Sequence, residues 1–237
     1  MHETNLSRAD VEALRRFDGC VIANAIEELD IRPRNEGFAH GEFHCMFPKL
    51  PPVAGFAVTG RMRSSAQPIH GHYYYDHIEW WRHVDSFPAP RIIVLRDVDE
   101  VPGLGALFGE LHARICRALD CLAYVTNGSA RDLPGIERVG FQVFASRPAV
   151  SHAYAHVVDF GGPVEIGGLR IHSGDLLHGD RHGIQSIPQE AAPKLPAVAE
   201  GLLEDEQSFI GKCLDGNFSL DALAAEIRKH AETPKWK

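Results

Sequence analysis

Long apolar runs are missing from this sequence. No stretch of about 18 uncharged apolar residues occurs, so no segment reads as a membrane-spanning helix. The opening MHETNLSRADVEALRRF is charged and helically periodic and lacks the apolar core of a secretory signal. Positive charge is also in short supply: Lys and Arg total 24 against 32 Asp and Glu, a net charge of −8. That balance argues against sequence-independent binding to nucleic acid and against an anionic membrane surface, both of which need basic patches. Cysteine is sparse. Cys20, Cys45, Cys116, Cys121 and Cys213 are odd in number and never spaced as CxxC. Neither a disulfide framework nor a structural zinc site is expected, and a reducing, cytoplasmic setting is the default. There is no phosphate-binding GK[ST] and no glycine-rich loop suited to adenosylmethionine.

What is there reads as one mixed α/β domain over residues 1–237, with N-terminal helices at 7–30, a core at 52–190 and C-terminal helices at 190–231. Hydrophobic residues make up 44% and charged residues 24% of the chain, ordinary for a globule that buries roughly 70% of its unfolded surface. Ser7 is placed to cap a helix with Val11, Leu14 and Phe17 on one face, and CVIANAIEEL predicts a second. Residues 35–55 are rich in Gly and Pro and read as loop. GFAVTGRMRS, RIIVLRDV, CLAYVTNG and FQVFAS predict strands. A helix is expected at 75–87 with Ile78, Trp81 and Val84 inward. Another is expected within 103–119, with Leu107, Leu111, Ile115, Ala118 and Leu119 as its face. Gly167–Gly168 between VEI and LRI signals a hairpin. Two more short strands follow, then a long helix from Gln189 and a last one with Leu220, Leu223 and Ile227 as its stripe.

Four stretches invite chemistry. HGHYYYDH, residues 70–77, suggests a metal, but three residues rather than one separate His72 from Asp76, so it is not the HxHxDH of metallo-β-lactamase-like hydrolases. We read it as a rim or subunit contact. PGLGALFGE, residues 102–110, fails the dinucleotide fingerprint because Phe108 stands where glycine is required. Glycines ahead of a helix still expose free N–H groups, and a helix N-terminus favours an anion such as a small carboxylate. TNGSARD ends a predicted strand. Arg131 offers a planar fork for a carboxylate, and Asp132 a hard oxygen for Mg²⁺ or Mn²⁺. HSGDLLHGDRHGIQSIP holds His172, Asp175, His178, Asp180 and His182. Strand alternation would put His172 and His178 on one face, and we read this group as structural.

In combination and order, GALFGELHARICRALDCLAYVTNGSARDLPGIERVGFQVFAS, GGPVEIGGLRIHSGDLLHGDRHGIQSIP and LEDEQSFIGKC resemble the RraA-like family, which includes class II 4-hydroxy-4-methyl-2-oxoglutarate aldolases. The resemblance covers about residues 90–215. It implies a swivelling α/β/β fold with a central mixed sheet, assembled as a trimer or hexamer with sites between subunits. It implies that Arg131 binds the carboxylate and carbonyl end of pyruvate and that Asp132 anchors Mg²⁺ or Mn²⁺. Backbone amides of Gly109, Glu110, Leu111 and His112 would hold the pyruvate carboxylate. Glu110 would be the acidic residue ahead of the Arg-Asp pair, and Glu206, or Glu204, would arrive from a neighbouring subunit. At position 135 the family carries an acidic residue; this chain has Gly135, with Glu137 two positions later.

The activity implied is a metal-dependent lyase that cleaves 4-hydroxy-2-oxo acids or decarboxylates oxaloacetate through a pyruvate enolate. Some family members are instead protein-binding inhibitors of a ribonuclease complex, and the net charge of −8 suits a basic protein partner. A hydrolase using His70, His72 and His178 as metal ligands is the third alternative.

Overall fold

The computed structural model describes residues 5–41, 43–68, 78–214 and 218–232. Ser7 opens α1 (Arg8–Leu14) with a reciprocal cap: its hydroxyl accepts from the Asp10 N–H, and the Asp10 carboxylate accepts from the Ser7 N–H. Asp18 caps α2 (Gly19–Glu28) by accepting from the Val21 N–H at 2.9 Å. These helices and α6 (Leu195–Leu214) bury Leu14, Ile22, Ile26, Leu195 and Val198 against Phe56 and Leu176 of the sheet. α7 (Leu220–Glu232) follows, with Leu220 and Ile227 of its expected stripe exposed.

The sheet is organised around β2 (Val53–Arg63), which pairs with three strands. Its middle runs parallel to β3 (Arg91–Asp97), its start is antiparallel to β11 (Leu176–Asp180), and its end is antiparallel to β8 (His156–Phe160). Beyond β3 the order continues through β4 (Cys121–Val125) and β6 (Gln142–Ala145) to β1 (His44–Cys45); beyond β11 lies β12 (Gly183–Ile187). β9 (Val164–Ile166) and β10 (Leu169–Ile171) form a hairpin turned by Gly167 and Gly168, both at positive φ as such a turn demands. β5 (Ser129–Ala130) and β7 (Arg147–Pro148) form a small parallel pair. One core lies between the sheet and the β9–β10 hairpin, including Val94, Val125, Phe144, Ile166 and Ile171. The other lies beneath α3 (Ile78–Asp85), α4 (Glu110–Ala118) and α5 (Leu133–Val139), including Trp80, Cys116, Tyr124 and Ile136.

Strands β2, β3, β4 and β6 are parallel neighbours. Their crossovers therefore bring the segments after β3 and β4 to one edge, where α/β sheets place ligands. Several elements differ from the sequence expectation. α4 begins at Glu110, because 103–109 is a loop with Gly103 at φ +86. The buried face of α4 is His112, Ala113 and Cys116, while Leu111 is 49% exposed. In α3 Trp80 is buried and Ile78 exposed. Strand β1 forms within the 35–55 stretch expected to be loop, and α5 forms where no helical pattern announces one. Pro134 and Gly135 look like breakers, yet proline in a first turn forfeits no intrahelical bond. Residues 189–194 turn before α6, so that helix starts later than its composition suggests. A turn at His172–Asp175 interrupts the alternation that would have aligned His172 with His178. The reading of residues 70–77 falls outside the described residues.

Candidate active site

The loop from β3 to α4 is held by two buried carboxylates. Asp97, at the end of β3, accepts from the N–H groups of Gly103 (2.7 Å) and Asp99 (3.1 Å). Asp99 accepts from the N–H and hydroxyl groups of Ser64 and Ser65. Asn127 joins the next crossover to this one, accepting from the Asp97 N–H at 2.8 Å and donating to its carbonyl at 3.0 Å. Burial pushes the Asp97 carboxyl up from its ordinary range, against those N–H donors. The loop therefore delivers Gly109 to a fixed place at the start of α4. Gly109 supplies no side-chain cap, so the first-turn N–H groups of Glu110 and Leu111 have no acceptor within the helix.

Asp132 faces that helix start. It is the N-cap residue of α5 but does not cap it, and its backbone is left-handed at φ +52. Asp is one of the few residue types that tolerate this region, and strain of this kind collects at functional sites. A Cβ on Gly109 would lie 2.6 Å from Asp132 Oδ2 and 3.3 Å from Arg131 Cγ. Glycine at 109 is thus what lets the carboxylate reach the end of α4. Arg131 Nε donates to Asp132 Oδ1 at 3.3 Å, and its NH1 donates to His152 Nδ1 at 2.6 Å. Arginine has no lone pair to offer, so His152 Nδ1 accepts. Burial, then the Arg131 charge, lowers the His152 pKa below the usual histidine value, which keeps the ring neutral in this role. The Asp132 side chain is 46% exposed. Mg²⁺ and Mn²⁺ take hard oxygen ligands and fill much of their shells with water and substrate, so a single accessible carboxylate is a donor set that fits them.

Two neighbours qualify the expected set. The side chain of His112, whose backbone was expected to help hold a carboxylate, packs between Phe108 and Trp81 with ring centroids at 5.8 and 5.9 Å. Burial, with a smaller contribution from His152, pushes its pKa down to about 4. The Glu110 carboxylate is ion-paired to Arg114 at 2.6 Å and to Arg138 at 3.3 Å. It also fills the space over Gly135, where a Cβ would meet Glu110 Oε2 at 2.1 Å. The missing acidic side chain at 135 is therefore coupled to where Glu110 sits. His152, Arg114 and Arg138 were not singled out by sequence. Two histidines in SHAYAH, His152 and His156, and single arginines on two different helices carry no distinguishing pattern before the fold joins them.

The remaining sequence candidates lie elsewhere. Glu204 and Glu206 are exposed on α6. His178 is buried on β11, where its Nε2–H donates to the Phe17 carbonyl at 3.1 Å, so it braces the helical layer and is not open to a metal. His172 pairs with Asp175 in the turn before β11. Among the described residues no helix is long and apolar enough to cross a membrane.

The profile of the RraA-like family, described as Aldolase/RraA, matches residues 20–185. An uncharacterized protein of Methanocaldococcus jannaschii is 25% identical over 150 residues, spanning 60% of this chain and 68% of that protein. An uncharacterized protein from Pseudomonas syringae pv. tomato has a similar fold, with a TM-score of 0.69, 18% identity and coverage of 93% of this chain and 98% of the other. Streptomyces coelicolor RraAS2, titled an unusual member of the RNase ES inhibitor RraA protein family, aligns with a TM-score of 0.65 and 17% identity over 90% of this chain and all of its own, 100%.

Proposed function

This chain belongs to the RraA-like family, and from that premise we propose that it is a divalent-metal-dependent carbon–carbon lyase acting on small α-keto acids. The observation that carries the reading is the Asp132 carboxylate lying against Gly109 at the open end of α4, with Arg131 beside it. Retro-aldol cleavage of a 4-hydroxy-2-oxo acid and decarboxylation of oxaloacetate both leave a pyruvate enolate. Asp132 would hold Mg²⁺ or Mn²⁺, which would supply Lewis acidity toward a keto oxygen. Arg131 presents its fork to the carboxylate and carbonyl end of the substrate, and His152 fixes the orientation of that fork. The amides at Gly109, Glu110, Leu111 and His112 receive the carboxylate at the helix start. Glu110 must leave Arg114 and Arg138 to assist a proton transfer. Decarboxylation needs no base at the hydroxyl and is accordingly the more robust activity. In a trimer or hexamer, Glu206 of a neighbouring subunit is the remaining carboxylate of this reading.

The test is pyruvate release from oxaloacetate with and without Mg²⁺ or Mn²⁺, comparing the protein with Asp132→Ala. Equal rates for the two refute the lyase. A second reading, a non-catalytic regulator that binds a basic protein partner of the ribonuclease complex type, is favoured by one observation. Gly135 replaces the acidic residue, and Glu110 is turned into an ion-pair network over it. Metal-independent binding of such a partner, with no turnover, would select that reading.

A further inference from the structure

A second constellation lies apart from Arg131 and Asp132, where the start of α2 meets the turn between β11 and β12. Asp18 is the N-cap of α2, Cys20 is in its first turn, and His182 stands in the hairpin turn. One ligand atom from each, a carboxylate oxygen, Sγ and a ring nitrogen, lie within 4.8 Å of one another, and all three side chains are exposed. Among the described residues this is the one such group of three. Ligands bound tetrahedrally to zinc are roughly 3.3–3.8 Å apart at the usual bond lengths. Rotamer adjustments of about 1 Å in exposed side chains close that gap.

Proximity alone would not make a site; the support beneath it does. Asp180, at the end of β11, is only 4% exposed. Its carboxylate accepts from the Gly19 N–H at 2.9 Å and from the His182 N–H at 2.8 Å, which ties the α2 start to the hairpin. His182 Nδ1 lies 3.1 and 3.2 Å from the two Asp180 oxygens. A carboxylate can only accept, so Nδ1 carries the hydrogen, and in the neutral ring Nε2 has the lone pair. This is the arrangement in which a carboxylate orients a metal-binding histidine. A Cβ on Gly19 would approach Asp180 Oδ1 to 2.9 Å, so glycine permits the docking. One oxygen of Asp18 caps Val21, which leaves its other oxygen available.

The geometry points to a zinc site formed by Asp18, Cys20 and His182, with Asp180 as the residue that positions His182. Thiolate, imidazole and carboxylate together select a borderline cation such as Zn²⁺, in contrast to the hard Mg²⁺ or Mn²⁺ suited to Asp132. Three protein ligands leave one position for water or a small anion. Bound metal pins α2 to the β11–β12 hairpin and stabilises the folded chain.

Titration of the full chain with Co²⁺ tests this, because cobalt bound to a thiolate gives a near-ultraviolet charge-transfer band. One equivalent is expected to develop the band and Zn²⁺ to abolish it. Cys20→Ser should remove the band, and His182→Ala should weaken Zn²⁺ binding at least tenfold, with circular dichroism unchanged in both. Cys213→Ser and Asp132→Ala should retain the band and its affinity. A band that survives Cys20→Ser, or disappears in Cys213→Ser or Asp132→Ala, overturns the assignment, as does zinc binding with the same affinity in His182→Ala.

Discussion

Acidification should weaken this fold through one residue in particular, His112. Its imidazole lies under the candidate site, buried between Phe108 and Trp81. Burial holds its pKa at about 4, against 6.5 for an exposed histidine. The folded-state pKa is depressed, so the unfolded chain takes up a proton that the folded chain refuses. Stability is therefore fully present above pH 6.5, falls as pH drops through the window from 6.5 to about 4, and levels off below it. A depression of this size is worth about 3 kcal/mol over the whole window, with about 2 kcal/mol already lost by pH 5. Urea unfolding at pH 7.5 and pH 5 measures it, in the protein and in His112→Leu. The variant starts less stable because its packing changes, but its loss on acidification should be smaller by about 2 kcal/mol. His178, also lowered by burial, titrates in both proteins and cancels in the comparison. Parallel losses would show that burial does not depress the His112 pKa.

Three further outcomes follow from contacts at the same edge of the sheet. Gly109→Ala places a Cβ on the flexible end of Asp132, at 2.6 Å from Oδ2, so it should displace the carboxylate rather than the backbone. Steady-state assays should show turnover down about tenfold or more, equivalent to about 1.4 kcal/mol of barrier, with little change in thermal midpoint. His152→Ala frees the Arg131 fork and should raise KM for oxaloacetate several-fold with a smaller effect on kcat; an unchanged KM would remove His152 from the site. Asp99→Ala strands the donors of Ser64 and Ser65 and should cost about 2–4 kcal/mol in chemical denaturation, because buried donors lose a charged acceptor.

The fold was legible where local chemistry and packing agreed. RIIVLRDV and CLAYVTNG are β-branched or apolar runs and became β3 and β4, and Gly167–Gly168 turned the hairpin it signalled. The amphipathic pattern failed at α4, where Leu107 and Leu111 fit a stripe but a loop ends at Gly109, shifting the inward face to His112 and Cys116. No such pattern announces α5, because Leu133, Pro134 and Gly135 carry loop composition into a first helical turn. Arg131, Asp132 and Gly109 were visible as candidates, since an Arg-Asp pair after a strand and glycines before a helix each have a chemical reading. Their junction was not visible, because it depends on a left-handed Asp132 and a missing Cβ. His152, Asp180 and Cys20 acquire meaning only through contacts remote in sequence.

In the proposed reaction Asp132, through a divalent metal, and Arg131 act together on one small keto acid. Calorimetric titration with oxalate, a mimic of the pyruvate enolate, tests it directly. Oxalate should bind in the presence of Mn²⁺, fail to bind without it, and lose at least tenfold in affinity with either Asp132→Ala or Arg131→Ala. Binding that ignores the metal, or that both variants retain at full strength, would rule out this joint role.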